Sequence, residues 1–527
     1  MRGLAPPMKM PRGARLSNEA PPTPDAAPAA TPQREPEPGQ IGHRTRRGIR
    51  WNLVGAVVTN TLRLVTVVVL GRVLDSHDFG VVAAALSVTV LFHNVRDLGL
   101  GAALVQRAEL GRAHIATAFA LSVYVGLALG AGIALAAPLI GALYGIEESV
   151  PVLRALGAIF ALRGLSQVSL ALCQRAMDFR AIALVDAGAY TAGTIVAMAC
   201  ALNGAGAWSL VAGYLTEEAL TAALYLSLRP PVVSLRISRA PLSDLLGFGA
   251  SQTVIQIAGI LATYGDNFVV GRVLGAGALG YYTRAYDLIK LPSAVFGNLV
   301  GNVLFPAFSR LQTDRERLAA GFRRVMMVNG LVLLPASAAL IAIAPEAIRV
   351  VMGPGWDEAV LPFRILAITM LMRTSYKVAA MVATAAGAVS AVALANVVYM
   401  ICVIAGAAFS IRWGIAGVAT TTALSLVVVY VHCCYLAMAV SGVTARELLR
   451  AHVPGLGLAA VVGAAAWPAA LALRAVGAPA GLRFAAIALL GIALALGASA
   501  LWLRTRHSGD AGWLRGELAR VLRRLRR

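Results

Sequence analysis

Long runs of apolar residues dominate the chain, and short polar segments separate them. Between positions 51 and 503 these runs follow one another almost without a pause. A membrane-spanning helix needs about 20 mostly apolar residues, and within lipid a helix can satisfy its own backbone polar groups. The pattern predicts an all-α integral membrane protein with about fourteen transmembrane helices, at 51–74, 79–104, 115–143, 151–173, 182–202, 207–228, 247–273, 281–307, 325–345, 358–385, 391–411, 414–438, 453–473 and 483–503.

The two ends of the chain differ from this apolar body. Residues 1–48 are rich in proline, alanine and charge, so we expect a disordered cytoplasmic arm that cannot bury a core. Residues 504–527 are predicted to form a basic amphipathic cytoplasmic tail on the anionic inner leaflet. On one stripe this tail would carry Trp513, Leu514, Leu518, Val521, Leu522 and Leu525 opposite arginines.

Composition excludes an ordinary soluble protein. Hydrophobic residues make up 58% of the chain and charged residues 13%, whereas a soluble domain has about 25% charged residues. The net charge of +21 is spread between apolar blocks, which is typical of membrane orientation signals and argues against a nucleic-acid partner. The five cysteines have neither disulfide nor metal spacing, and we expect no metal and no cofactor.

Basic residues also predict the orientation. Segments on the side of the amino terminus contain 31 Lys and Arg residues, and segments on the opposite side contain 7. Because cytoplasmic loops carry the excess of Lys and Arg, we expect a multi-pass membrane protein with both termini in the cytoplasm.

A repeat relates the two halves of the chain. The segment VLGRVLDSHDFG (69–80) matches VVGRVLGAGALG (269–280), and the same register gives 11 identities over the 36 positions from 69 to 104. Six predicted spans separate the copies, so both cross the membrane in the same direction. We therefore predict a six-helix lobe with its linker at 49–246, a second six-helix lobe at 247–440, and two additional transmembrane helices at 441–503.

Ionisable residues inside spans are costly and by default mark a transport pathway. The candidate substrate-binding residues on spans one, two, seven and eight are Arg63, Arg96, Asp266, Arg284, Asp287 and Lys290. Arg63 and Lys290 lie nearest the middle of their spans, where a side chain reaches water least easily. The spacing of three puts Arg284, Asp287 and Lys290 on one stripe, which fits an internal ion-pair ladder equally well.

Other charged residues inside spans are weaker candidates. They are Arg163, Asp186, Glu217, Glu218, Arg364, Arg373 and Lys377. Arg373 and Lys377 share a helix face because they are four residues apart. Near the ends of their spans, we expect four charged residues to reach water, namely Arg96, Asp97, Glu217 and Glu218. The sequence contains no Walker loop, HExxH or GxSxG motif, and its loops are too short for an active-site domain, so we expect no enzyme.

Seven segments resemble the polysaccharide repeat-unit flippases of the multidrug/oligosaccharidyl-lipid/polysaccharide exporter superfamily. They are GRVLDSHDFGVVAAA (71–85), VRDLGLGAALVQR (95–107), CQRAMDFRAIALVD (173–186), GAGAWSLVAGYL (204–215), GYYTRAYDLIKLP (280–292), VLFPAFSRLQTDRERL (303–318) and GPGWDEAV (353–360). They cover spans one to ten in the family's order, while spans eleven to fourteen match in hydropathy alone.

This resemblance implies two six-helix lobes around a central cavity between spans one, two, seven and eight, and transport by alternating access. The implied substrate is an oligosaccharide on undecaprenyl pyrophosphate, and the implied partners are membrane lipids, a polysaccharide polymerase and a chain-length regulator. A pyrophosphate needs cationic partners, which Arg63, Arg96, Arg284 and Lys290 offer, although Asp97, Asp266 and Asp287 lie on the same spans.

Four other functions remain open at this point. An ion-coupled drug exporter and a lipid II flippase belong to the same superfamily, and they would differ in substrate. A membrane glycan polymerase or ligase is disfavoured by the short outer loops. A scaffold for glycan assembly has no need of the charges inside the spans.

Overall fold

The computed structural model describes residues 55, 58–96, 100–107, 110–234, 238, 250–311, 314–505, 510, 512–517 and 520. These residues form helices and connecting turns, with no strand among them. The predicted arm at 1–48, Asp97 and most of the linker at 229–246 lie outside the described residues. Each of the fourteen predicted spans contains a helix in this structure, so the all-helical membrane fold is confirmed.

Among the described residues, the amino-terminal bundle contains seven helices. They are α1 (58–73), α2 (Ser76–Arg96), α3 (Leu100–Gln106), α4 (Arg112–Tyr144), α5 (Ser149–Arg175), α6 (Phe179–Leu202) and α7 (Ala207–Leu228). Helix α4 packs along α5, and α7 packs along both α5 and α6. Asp178 caps α6 by accepting a hydrogen bond from the amide of Ala181 at 3.2 Å, which satisfies one of the free N–H groups at the helix start.

The carboxy-terminal bundle begins with one long, bent helix. This helix, α8 (Ala250–Leu311), bends at Gly275, whose φ of 82° is accessible to glycine at little cost. It contains predicted spans seven and eight. The bundle continues with α9 (Arg315–Ala342), α10 (Ala344–Met352), α11 (Val360–Ile368), α12 (Met370–Ala385), α13 (Val389–Ser410) and α14 (Gly414–Ser441).

Two further helices follow the second bundle. Helix α15 (Ala445–Ala475) packs along α9, and α16 (Ala480–Thr505) packs along α15. Thr444 and Glu447 form a capping box that starts α15. Within the described ranges, eight apolar segments are long enough to cross a membrane, or nine with the bent pair at 357–385. One of them, Val389–Ser441, contains both α13 and α14.

The sequence repeat reappears as a pair of reciprocal contacts. A Cβ atom added to Gly80 would overlap the carbonyl oxygen of Ala276, and one added to Gly280 would overlap that of Ser76. Each of the two contacts is the other shifted by 200 positions, so α2 and the second half of α8 cross through equivalent points. This pseudo-twofold crossing agrees with the predicted pair of bundles.

The described part of the tail docks against α9. The carboxylate of Asp510 lies 3.1 Å from Nε of Arg324 and 3.7 Å from Nε of Arg323, in the first half of that helix. The guanidinium of Arg324 also stacks on the ring of Trp513 at 4.9 Å. Trp513 of the predicted apolar stripe therefore contacts protein, while Leu518, Val521, Leu522 and Leu525 lie outside the described residues.

Candidate functional site

The three charged residues of span eight form an ion-pair ladder. On α8 the carboxylate of Asp287 lies 2.8 Å from Nη2 of Arg284 and 3.3 Å from Nζ of Lys290. The i,i+3 spacing produces this arrangement because such residues are neighbours on a helix surface. One carboxylate thus serves two cations, and the ladder retains a net positive charge.

Aromatic rings extend this ladder on both sides. Nζ of Lys290 lies 4.2 Å from the ring centroid of Tyr286 and 5.0 Å from that of Tyr264. The guanidinium of Arg284 lies 4.8 Å from the ring of Phe79, on α2 of the other bundle. Ring faces attract cations. The two tyrosine rings therefore stabilise Lys290, and the contact between Arg284 and Phe79 connects the two bundles.

Arg63 lies on α1 and faces its own bundle. Its side chain is exposed, and its guanidinium is 5.8 Å from the ring centroid of Tyr190 on α6. Its charge also acts on Glu217 of α7.

Asp266 is fully buried. Its carboxylate accepts hydrogen bonds from the hydroxyls of Tyr282 at 2.5 Å and Thr422 at 3.2 Å. The adjacent Asn267 donates to the hydroxyl of Ser87 on α2 at 3.0 Å. Asp266 thus joins the two halves of α8 to α14. A direct contact with substrate stays a prediction for Asp266, as it does for Arg96, whose side chain lies outside the described residues.

The sequence interpretation of Glu218 is wrong. Glu218 is buried, and its carboxylate pairs with the guanidinium of Arg163 on α5, which also contacts the ring nitrogens of His93 on α2. Glu217 and Glu218 lie midway along α7, far from a span end. The position of Glu218 near the centre of the apolar run 207–228 is the sequence signal that indicates a buried carboxylate.

Charge is divided unequally between the bundles. In the amino-terminal bundle, Asp186, Glu217 and Glu218 accompany Arg63 and Arg163. In the carboxy-terminal bundle, Arg284, Lys290, Arg373 and Lys377 accompany Asp266 and Asp287. Among the described residues the second bundle therefore holds the excess of positive charge, and it is the side on which an anion is best stabilised.

The chain matches the family described as polysaccharide biosynthesis protein over residues 69–361, and it belongs to that family. It is 28% identical over 340 residues to the lipopolysaccharide biosynthesis protein WzxC of Escherichia coli (strain K12), covering 63% of this chain and 68% of that relative. It is also 29% identical over 317 residues to the succinoglycan biosynthesis transport protein ExoT of Rhizobium meliloti (strain 1021). That match covers 59% of this chain and 63% of ExoT, less than two thirds of its length.

A solved structure extends the likeness to the fold. The inward closed conformation of the lipid II flippase MurJ aligns with a TM-score of 0.69 at 14% identity, covering 87% of this chain and 99% of MurJ. At this identity the likeness concerns the fold alone. The protein is therefore an all-helical, multi-pass membrane protein with two pseudo-symmetric bundles, and its family serves polysaccharide biosynthesis.

Proposed function

We propose that this protein flips oligosaccharide repeat units, linked to undecaprenyl pyrophosphate, from the inner to the outer leaflet of the bacterial inner membrane. Transport proceeds by alternating access between the lobes at 49–246 and 247–440. The family and the names of the relatives support a role in moving lipid-linked sugars. A polysaccharide polymerase and a chain-length regulator are the proposed partners, since they would act on the flipped product.

The observation that carries this proposal is the group of cations where the bundles approach each other. Arg284 and Lys290 share one carboxylate, so their positive charge is only partly compensated. Arg63 belongs to α1 of the amino-terminal bundle, and Arg284 of the carboxy-terminal bundle reaches Phe79 of α2. Both bundles can therefore offer a cation to a diphosphate. A diphosphate is stabilised by such partners, while its lipid tail remains in the bilayer.

Reconstitution tests the function itself. The purified protein in vesicles should move a fluorescent undecaprenyl-pyrophosphate oligosaccharide between leaflets, and deletion of its gene should remove surface polysaccharide. Efflux of cationic dyes without glycan flipping would favour the drug exporter, and lysis on depletion would favour the lipid II flippase. Glycan chains lengthened by the purified protein would favour the polymerase.

Reporter fusions test the proposed orientation. The motive is the contrast of 31 and 7 basic residues on the two sides. Fusions after residues 146 and 277 should report the periplasm, and a fusion after residue 527 should report the cytoplasm. A reversed signal at any of these three positions contradicts the proposal that both termini are cytoplasmic.

Neutralising Arg63 or Lys290 should slow flipping by about tenfold or more, because each removes a charge-assisted contact to the diphosphate. Arg63→Gln and Lys290→Gln are expected to reach the membrane in normal amounts, and Arg63→Lys should restore part of the rate.

If Lys290 serves only the ion-pair ladder, Lys290→Ala lowers thermal stability, and adding Asp287→Ala restores stability and flipping. Full flipping by both Gln variants would end the proposal for these residues.

A further inference from the structure

A second group of cations lies beyond the ladder, on α12. Arg373 is 8% exposed, and its Nη1 donates to the hydroxyl of Tyr286 at 2.8 Å. The guanidinium lies 4.4 Å from the ring centroid of Tyr286, the same ring that Nζ of Lys290 approaches to 4.2 Å. Arg373 and Lys290 are therefore joined through one tyrosine.

The remaining edge of Arg373 has no partner in the described part of the chain. Its Nε and Nη2 are buried and make no hydrogen bond there. These two N–H groups form one edge of the planar guanidinium and point in parallel, which is the geometry that binds two oxygens of one carboxylate or phosphate. A buried charged donor without an acceptor is costly, so this edge is suited to a bound anion.

The carboxylates of Asp287 and Asp266 have partners other than Arg373. Asp287 pairs with Arg284 and Lys290, and Asp266 accepts from Tyr282 and Thr422. No described carboxylate lies within ion-pair distance of Arg373. The positive charge of this region is thus left for a ligand to neutralise.

Lys377 adds a second cation on the same helix face. It follows Arg373 by one turn, its side chain is exposed, and the charges of Arg373 and Lys290 both act on it. Lys290 is 30% exposed as well. Two partly or fully exposed cations on α12 and α8 therefore accompany the buried fork of Arg373.

Aromatic residues and burial shape the surroundings of this guanidinium. Tyr286 of α8 packs against it, and Tyr376 of α12 and Tyr399 of α13 have ring centroids 6.2 Å apart. Because Arg373 is only 8% exposed, its fork lies in a region of low local dielectric, which strengthens an interaction with an anion.

We propose that Arg373, Lys377 and Lys290 form an anion-binding site in the carboxy-terminal bundle, with Arg373 as the fork that holds two oxygens of a phosphate or carboxylate. Its use during transport rests on the proposed function. The anion is then either the diphosphate of the carrier or the carboxylate of an acidic sugar in the repeat unit. Its capacity to bind an anion is independent of flipping.

Thermal unfolding of the purified full-length protein in detergent tests the site. The probes are sodium pyrophosphate and sodium glucuronate, each compared with sodium chloride at equal ionic strength to remove screening effects. A ligand that binds the folded state alone raises the unfolding temperature with its concentration. We expect a rise with at least one probe, and the probe that acts identifies the source of the anion.

The variants separate binding from a structural role. In Arg373→Gln and Lys377→Gln the half-maximal rise should require about tenfold more probe or more, whatever their stability without probe. Arg373→Lys, which keeps the charge and loses the fork, should also bind more weakly. Arg364→Gln is the matched control, since Arg364 lies in the same predicted span and contacts the carbonyl of Ile341 and the ring of Trp467 instead.

Each outcome decides the proposal. The proposal is overturned if neither probe raises the unfolding temperature of the unaltered protein. It is also overturned if Lys377→Gln responds to the probes as the unaltered protein does. Because the side chain of Lys377 is exposed, we expect this variant to fold normally. Anion binding through Arg373 by a protein that does not flip lipid-linked glycans refutes the proposed function and leaves the site intact. Normal flipping and binding by Arg373→Lys and Lys377→Gln refute the site and leave the function intact.

Discussion

Alanine at Gly80 or Gly280 will destabilise the protein by about 3 kcal/mol or more, at the upper end of the cost of overpacking. At both positions the added Cβ atom overlaps a backbone carbonyl oxygen, of Ala276 or of Ser76. A backbone oxygen cannot move away by changing rotamer, so α2 and α8 must separate. Since separation opens the end of the bundles where α1 meets α2, flipping should be lost together with stability.

Two other glycines provide the controls. Gly132 on α4 and Gly188 on α6 have nothing within 4 Å of an added Cβ atom, so Gly132→Ala and Gly188→Ala should be neutral or slightly stabilising, as expected from helix propensity. Unfolding temperature in detergent and flipping in vesicles are the measurements. Gly80→Ala and Gly280→Ala proteins that behave like these controls would falsify the crossing.

The sequence repeat predicts that two arginines are equivalent, but it does not predict their contacts. The shared GRVL motif predicts that Arg72 and Arg272 are equivalent, but an offset alone does not reveal what either residue contacts. In the structure, Nη2 of Arg72 donates to the carbonyl of Val350 at 2.8 Å. Arg272 instead lies beside Gly145, at the end of α4. Each arginine thus reaches the other bundle.

Contacts along one helix were predictable, and contacts between helices were not. The spacing of three predicts the ladder of Arg284, Asp287 and Lys290, because helix geometry fixes which residues are neighbours. Arg163 and Glu218 lie 55 positions apart on α5 and α7, and no periodicity relates them. The free edge of Arg373 depends on which neighbours fail to supply an acceptor, which only the packed structure reveals.

The two additional helices are fastened to the second bundle through Glu346. This residue of α10 is 2% exposed. Its carboxylate accepts from Nε of Arg474 at 2.8 Å and from Nη2 of Arg474 at 2.7 Å, while Nη1 of Arg483 lies 3.5 Å away. Arg474 ends α15 and Arg483 begins α16, so one carboxylate holds the turn between the two helices.

Arg474→Gln is expected to cost about 3 kcal/mol of unfolding free energy, because it leaves a buried carboxylate with one weak partner. Nη2 of Arg474 also donates to the carbonyl of Ala342 at 3.0 Å, and this bond is lost as well. Arg483→Gln, which removes only the longer contact, should cost clearly less. Equal losses in the two variants, measured by chemical or thermal unfolding in detergent, would contradict the assigned geometry.

Acid should weaken the same contact. Burial by itself raises the pKa of Glu346, but the hydrogen bonds and charges of Arg474 and Arg483 outweigh it and hold the pKa below its ordinary value of about 4.3. A lowered pKa in the folded state means that the stabilisation is fully present above the ordinary pKa and is lost as the pH falls through the folded value. The difference in stability between the unaltered protein and Glu346→Gln should therefore be constant near neutral pH and shrink below about pH 4. A difference that grows on acidification would mean that burial dominates and that the arginines do not hold this carboxylate in its charged form.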